Sequence, residues 1–334
     1  MKDLVLIDVF NHIYPREFLQ EYVRTRIPAL VRFVKAEVED EFRYFTDPEV
    51  RLMMMDNHGI EKQVVSLAGG SKLWEGLSER RALRLTRLAN DTVADLCERF
   101  ADRLIPAATL PRLEGEFIEE LRRAVRDLGV KAVQVYTNVE GRPLDQFKDF
   151  FAEVERLRVP ILLHPIEFQY YPWVYEYNIA QTLGWPFDTS VAVSRLVFSG
   201  ILESYPNVKI ITHHLGGMIS FFAERIRGFY DEAVQYPRIY AGHTFLERPL
   251  ARHPLDYFRS IYADTAVSGS AIALRCGIEF FGPSHVLFAT DFPFGPDHGE
   301  RWVAEIIRSL VSLGLPEGAI EDITHRNAER LLRL

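Results

Sequence analysis

The chain has 334 residues, 48% hydrophobic and 26% charged, the balance of a folded globular protein and not of a disordered one. Lys and Arg number 39 against 47 Asp and Glu, a formal charge of −8 with no basic block, which excludes a nucleic-acid binder needing a clustered positive face. Two cysteines cannot build a disulfide framework, the N-terminus MKDLVLIDVF is charged too early for a signal peptide, and no apolar run approaches the roughly 18 residues of a membrane helix; a reduced, cytoplasmic chain is expected.

Taken in chain order, eight short apolar runs rich in β-branched residues recur: Leu4–Phe10, Gln63–Ala68, Leu104–Leu110, Ala132–Thr137, Val159–Pro165, Val208–His214, Ile261–Ala266 and Val286–Phe292. They are nearly continuous and do not alternate, as parallel strands covered on both faces read. Helical spacing lies between them, over Ser78–Phe100, Glu114–Leu128 (ended by Gly129 as a C-cap), Leu144–Leu157, Thr189–Tyr205 and Ser268–Phe281, with Glu317–Leu334 as the closing helix. Eight strands alternating with helices predict an α/β chain, a (β/α)8 TIM barrel forming one domain over residues 1–334. The rival, a doubly wound open sheet, lacks its GxGxxG.

Two gaps are too long for one helix. Residues 11–62 hold Pro15, Pro28 and Pro48 with many aromatics, and read as a cap inserted after the first strand, about 13–60. The stretch from Ile166 to Asn207 crowds Tyr170, Tyr171, Trp173, Tyr175, Tyr177 and Trp185, either a loop with its own small core or a wall for an aromatic substrate.

Barrel chemistry sits at the C-terminal ends of strands. There the first run carries His12, the fifth His164, the sixth His213 and His214, the seventh Asp264 and the eighth Asp291. One such histidine is ordinary as a satisfied core residue. Several at one mouth with two carboxylates find their simplest partner in a divalent metal, since imidazole and carboxylate suit zinc, manganese or iron. His58, His243, His253, His285 and His325 have no strand-end placement, and His298 follows Asp291 on the same loop.

These residues lie in blocks that resemble a known family. FTDPEVRLMMMDNHGIEKQVVSLAG (Phe45–Gly69), ILLHP, WPFDTSVAVSRLVFSGILESYPNVKIITHHLGGMISFFAERI, LFATDFPFGP and ITHRNAERLL are similar to the amidohydrolase-related family of the aminocarboxymuconate-semialdehyde decarboxylase and γ-resorcylate decarboxylase type, over nearly the whole chain. The resemblance implies His12, His164 and Asp291 as metal ligands, and the spacing to Arg225 and Ile226 places His214 on the family's catalytic histidine. His213 is then a neighbour with a packing or supporting role. The departure is Phe10, where the family carries His or Glu as a ligand. Three donors suffice for a tetrahedral site with one open position. The loss weakens the metal, changes its identity or marks a metal-free subgroup, or Phe10 lines the substrate pocket. Asn11 is expected to point away by strand alternation.

The function implied is metal-dependent, nonoxidative decarboxylation of a small aromatic or unsaturated carboxylic acid, with zinc expected first and manganese or iron as alternatives. His214 and Asp291 are the proton-handling pair, while Arg43 (as a carboxylate clamp), Phe10 and Trp185 are the candidate substrate contacts. The rival readings are a metal-dependent hydrolase of a lactone or amide, a hydratase, and a barrel kept only for binding or assembly. The resemblance also suggests a homodimer acting on a small-molecule acid, with neither nucleic acid nor membrane as partner.

Overall fold

The computed structural model describes residues 4–25, 43–70, 73–166, 172–242 and 249–334. Eight parallel strands form one sheet in chain order: β1 (Leu6–Ile13), β2 (Ile60–Leu67), β3 (Leu104–Leu110), β4 (Ala132–Tyr136), β5 (Ile161–His164), β6 (Ile210–Thr212), β7 (Tyr262–Asp264) and β8 (Val286–Leu287). Register runs round the sheet through pairs such as Asp8 with Gln63, Ala107 with Ala132, Val133 with Ile161, Ile211 with Tyr262 and Ala263 with Val286. Backbone bonds from Val9 N to Phe288 O (3.0 Å), from Asp291 N to Phe10 O (3.0 Å) and from His12 N to Phe292 O (2.8 Å) join the first strand to the last, closing the ring as a (β/α)8 barrel. Asp8 pins the same seam. Its carboxylate accepts from Thr290 N at 3.1 Å and Thr290 Oγ1 at 2.6 Å, and burial pushes its pKa up to about 6.

The helices follow the strands: α1 (Arg16–Thr25), α2 (Pro48–His58), α3 (Glu79–Arg99), α4 (Glu116–Asp127), α5 (Lys148–Leu157), α6 (Trp185–Phe198), α7 (Ala223–Gln235), α8 (Pro254–Arg259), α9 (Ala271–Phe281), α10 (Glu300–Ser312) and α11 (Asn327–Leu332). One buried cluster draws Ile7, Val64, Ala107, Leu162, Ile211 and Leu287 from strands far apart round the ring, which only the lumen brings together. A larger cluster joins strands to the inner faces of α3, α4, α5 and α6. Gly129 has φ 65°, as a C-cap glycine should.

The observed elements differ from the expected ones in informative places. β1 runs on to Ile13 because it is buried throughout and pairs Asn11 with Val65 and His12 with Ser66. The fourth helical stretch begins four residues early, at Trp185, and stops at Phe198; Gly200, φ 76°, separates it from the short helix Ile201–Ser204. The closing helix is broken by a π-helical turn, Asp322–Arg326, and Ile323 O accepts from Phe288 N at 2.8 Å. Of the segment expected as a cap, α1, the short helix Arg43–Thr46 and α2 are described, while residues 26–42, with Pro28, lie outside the described residues.

Candidate active site

His12 sits on a strand with no exposure, so its ring must find polar partners inside the protein. Its Nδ1 lies 3.2 Å from Ser66 Oγ, whose hydroxyl is donated to Gln134 Oε1 at 2.7 Å. That pairing has His12 donate from Nδ1 and leaves a lone pair on Nε2. His164 ends β5 and donates from Nδ1 to the Pro165 carbonyl at 2.5 Å. His213, just past β6, donates from Nδ1 to Asp264 Oδ2 at 2.5 Å. Asp264 is itself fixed, for its Oδ1 accepts the Leu215 and Ala266 backbone N–H groups at 3.2 and 3.0 Å. Three imidazoles thus commit Nδ1 to an outer partner and keep Nε2.

Asp291 follows β8 and faces these rings. Its Oδ1 is 3.1 Å from His213 Nε2 and 3.4 Å from His12 Nε2, and its Oδ2 is 3.7 Å from His214 Nε2. The His164 ring lies 5.0 Å from that of His12 and 5.8 Å from that of His213, centroid to centroid. Asp291 and His214 both hold left-handed backbone, φ 63° and 53°, a conformation that non-glycine residues adopt chiefly where surrounding structure enforces it. The register between β1 and β2 shifts between Asp8 and Asn11, just ahead of His12.

Electrostatics sort the groups. Burial lowers His12, His164 and His214 below the ordinary histidine range, helped for His164 by His12 and for all three by His213, so all three are neutral near pH 7. Burial would lower His213 as well, but Asp264 and Asp291 on its two nitrogens outweigh it and push the pKa up to about 10. Burial would raise Asp291, yet His213 first, with His12 and His214 facing the same carboxylate, holds it well below the usual carboxylate range.

The residues fit a divalent metal. His12 Nε2 is buried with no hydrogen-bond partner among the described residues, while a carboxylate oxygen faces it. Two electron-pair donors turned toward each other ask for a cation between them. His12, His213 and Asp291 each offer a ligand atom within 4.8 Å of the others, an imidazole and carboxylate set suited to such an ion.

A pocket lies over the cluster, lined by Gly69, Gly70, His164, Pro165, Ile166, Trp185, His213, His214, Asp291 and Phe294. Trp185 is nearly parallel to His214, centroids 6.3 Å apart and planes within 13°. His12, His164, His214, Asp291 and Trp185 are therefore brought together at one mouth. Phe10 is fully buried with its ring against His213, and Arg43 is exposed and does not line the pocket. Asn11 points away, bonding Val64 O and accepting from Arg51. His298 stacks on Tyr44 at 4.1 Å, His58 is 3.3 Å from Glu300, and Tyr170, Tyr171 and His243 lie outside the described residues.

Three participants escaped sequence reasoning. Phe294 packs edge-on against His12 at 5.7 Å, within the LFATDFPFGP block that could have marked it. Ser66, inside the apolar run of β2, holds His12 Nδ1 at 3.2 Å, a role that a lone serine does not announce. Arg51 is wholly buried and donates to Asn11 Oδ1 at 2.7 Å, to Gln63 Oε1 at 2.8 Å and to the His12 carbonyl.

A model of the family described as amidohydrolase matches residues 7–334. The γ-resorcylate decarboxylase of Rhizobium sp. (strain MTP-10005) is 30% identical over 316 residues, covering 89% of this chain and 90% of that protein. Among solved structures, the 2,6-dihydroxybenzoate decarboxylase from Rhizobium superposes with a TM-score of 0.78 at 26% identity, over 99% of each chain. The manganese-bound 5-carboxyvanillate decarboxylase from Novosphingobium aromaticivorans DSM 12444 superposes with a TM-score of 0.85 at 22% identity, over 99% of this chain and 96% of that one, a likeness of fold.

Proposed function

The chain belongs to the amidohydrolase family, and on that footing we propose that its barrel mouth releases carbon dioxide, without oxidation, from a small aromatic or unsaturated carboxylic acid with the help of one divalent metal ion. The carrying observation is the convergence of His12, His164, His213, His214 and Asp291 under a pocket walled by Trp185 and Phe294. His12 and Asp291 would hold the ion, with His164 beside them. When bound, it supplies a positive anchor for a substrate carboxylate and an adjacent hydroxyl or carbonyl oxygen. Zinc is the metal we propose, since imidazoles outnumber carboxylates among the donors; manganese and iron suit the same set.

The chain's own residues do the rest. Loss of carbon dioxide from an sp2 carbon leaves a poor carbanion unless that carbon is protonated. His214 lines the pocket, and its Nε2 and Asp291 Oδ2, 3.7 Å apart, form the pair through which a proton reaches the ring carbon. With His214 neutral and Asp291 ionised at rest, the pair takes up that proton from solvent and returns to its resting state once the ring carbon holds it. Trp185 gives a flat wall that orients a planar acid beside His214. We further propose a homodimer acting in the cytoplasm on a small-molecule acid, with neither nucleic acid nor membrane as partner. The exposed Phe221, Phe229 and Ile239, at 76%, 47% and 73%, support an apolar contact surface. No helix among the described residues is long and apolar enough to cross a membrane. Residues 13–60 are proposed as a cap over the mouth.

The test is a screen of carboxylated phenols and muconates, labelled at the carboxyl carbon, with trapped carbon dioxide measured beside the metal content of the purified chain. Labelled carbon dioxide, abolished in His214→Asn, is the expected result. Addition of water to the substrate, or cleavage of a lactone or amide without carbon dioxide, would overturn it.

A further inference from the structure

Phe10 stands at the first-strand position where the family pattern calls for a metal ligand, and a phenyl ring has no donor to give. Its ring lies face to face with the imidazole of His213, centroids 4.0 Å apart and planes within 11°, so the residue that lacks the donor fixes the plane of one that has it. His213 Nε2 is 3.1 Å from Asp291 Oδ1, closer than His12 Nε2 at 3.4 Å, and all three residues fall within one ligand-sized cluster. On the far side, His213 Nδ1–H is held by Asp264 at 2.5 Å, and Asp264 is held by two backbone N–H groups. A carboxylate behind a histidine fixes the ring's orientation and raises the basicity of the nitrogen that faces a metal. A buried imidazole needs a polar partner for each of its two nitrogens, and here one of the two is the carboxylate that also faces His12. His213, 1% exposed, has a carboxylate on each nitrogen.

We propose that His213 is itself a ligand of the metal centre, supplying from the sixth strand the donor that β1 lacks at Phe10, with Asp264 as its positioning residue. The assignment rests on the metal-dependent reading above and deepens it. The centre is then His12, His213 and Asp291 with His164 alongside, and His214 is left free for proton transfer. Two adjacent histidines in the THHLG segment thereby divide two tasks that a single residue cannot serve at once, binding the ion and moving a proton.

The test is titration of the chelator-treated full chain with manganese(II), following the free ion by its electron paramagnetic resonance signal. The variants are His213→Asn and the double variant Phe10→His with His213→Asn. Asparagine keeps an amide donor where Nδ1–H meets Asp264 and removes only the metal-facing nitrogen, so folding is preserved and is checked by thermal melting without metal. The wild type is expected to bind one ion per chain. His213→Asn should weaken binding by roughly tenfold or more, and the added Phe10→His should restore it to within a few-fold. Asp264→Asn should fall between wild type and His213→Asn. Unchanged affinity in His213→Asn, or a loss that Phe10→His does not rescue, would overturn the assignment and leave decarboxylation standing. Binding and rescue without carbon dioxide release from any acid would do the reverse. A wild type that binds no ion would refute both this assignment and the metal-dependent part of the function.

Discussion

Arg51 and His214 show how differently two polar residues can serve one site. Arg51 holds the site up from behind: its donors reach Asn11, the His12 carbonyl and Gln63, and its guanidinium lies 5.1 Å over the Phe292 ring. Burial lowers its pKa only to about 10, against the pull of Asp8, so it is charged at neutral pH. Arg51→Met leaves three buried acceptors and the Asp8 carboxylate without their cation, and should cost about 3–5 kcal/mol of stability, read as a lower urea midpoint. His214 instead lines the pocket, with its Nδ1 unpartnered among the described residues. His214→Asn should lower kcat for carbon dioxide release by roughly 10²–10⁴-fold with metal content unchanged, measured by steady-state assay beside elemental analysis. His12, His164 and Asp291 were legible because an ionisable residue ending an apolar run stands out. Arg51 was not, because an arginine on a helix reads as part of a solvated face, and only the fold turns it inward.

Among the elements, α6 and the loop after β6 depend on close contact. Gly217 has φ 66°, and a Cβ there would meet Pro186 O at 2.2 Å and Ser190 Oγ at 2.6 Å, while Met218 N already donates to Ser190 Oγ at 2.7 Å. Gly217→Ala must push the His214 loop away from the start of α6, which carries Trp185. The expected cost is about 1–3 kcal/mol, seen as a lower melting temperature, with a raised KM as the aromatic wall separates from His214. Strand positions were readable from β-branched apolar runs, and α3, α4, α5, α6 and α9 from their 3.6-residue spacing. The π-helical turn before α11 was not, because the apolar positions of a helix with one widened turn keep nearly the same spacing, and its purpose, the bond from Phe288 N to Ile323 O, is a long-range one.

For the molecule as a whole, the metal couples site to stability. An ion that binds only the folded chain stabilises it by about 2.7 kcal/mol at a hundred times its dissociation constant. Treatment with a chelator should therefore lower the melting temperature, and zinc or manganese added back should raise it in a concentration-dependent way, with His12→Ala unresponsive, as followed by calorimetry. The barrel was legible as a count of eight apolar runs, since parallel strands buried on both faces leave that trace. The seam was not, because Asp8 and Thr290, hydrogen-bonded at 2.6 Å, lie 282 residues apart, and local pattern carries no such information.

That seam also dictates when the protein can become functional during its synthesis. A chain leaving the ribosome presents His12, His164, His213 and His214 long before Asp291 has been made, and one edge of β1 has no partner until residues 288–292 emerge. The nascent polypeptide thus displays imidazoles without the carboxylate that gathers them, and metal acquisition belongs to the finished chain. Any translational stop short of Asp291 yields a product that lacks both the anion at its centre and the seal on its barrel.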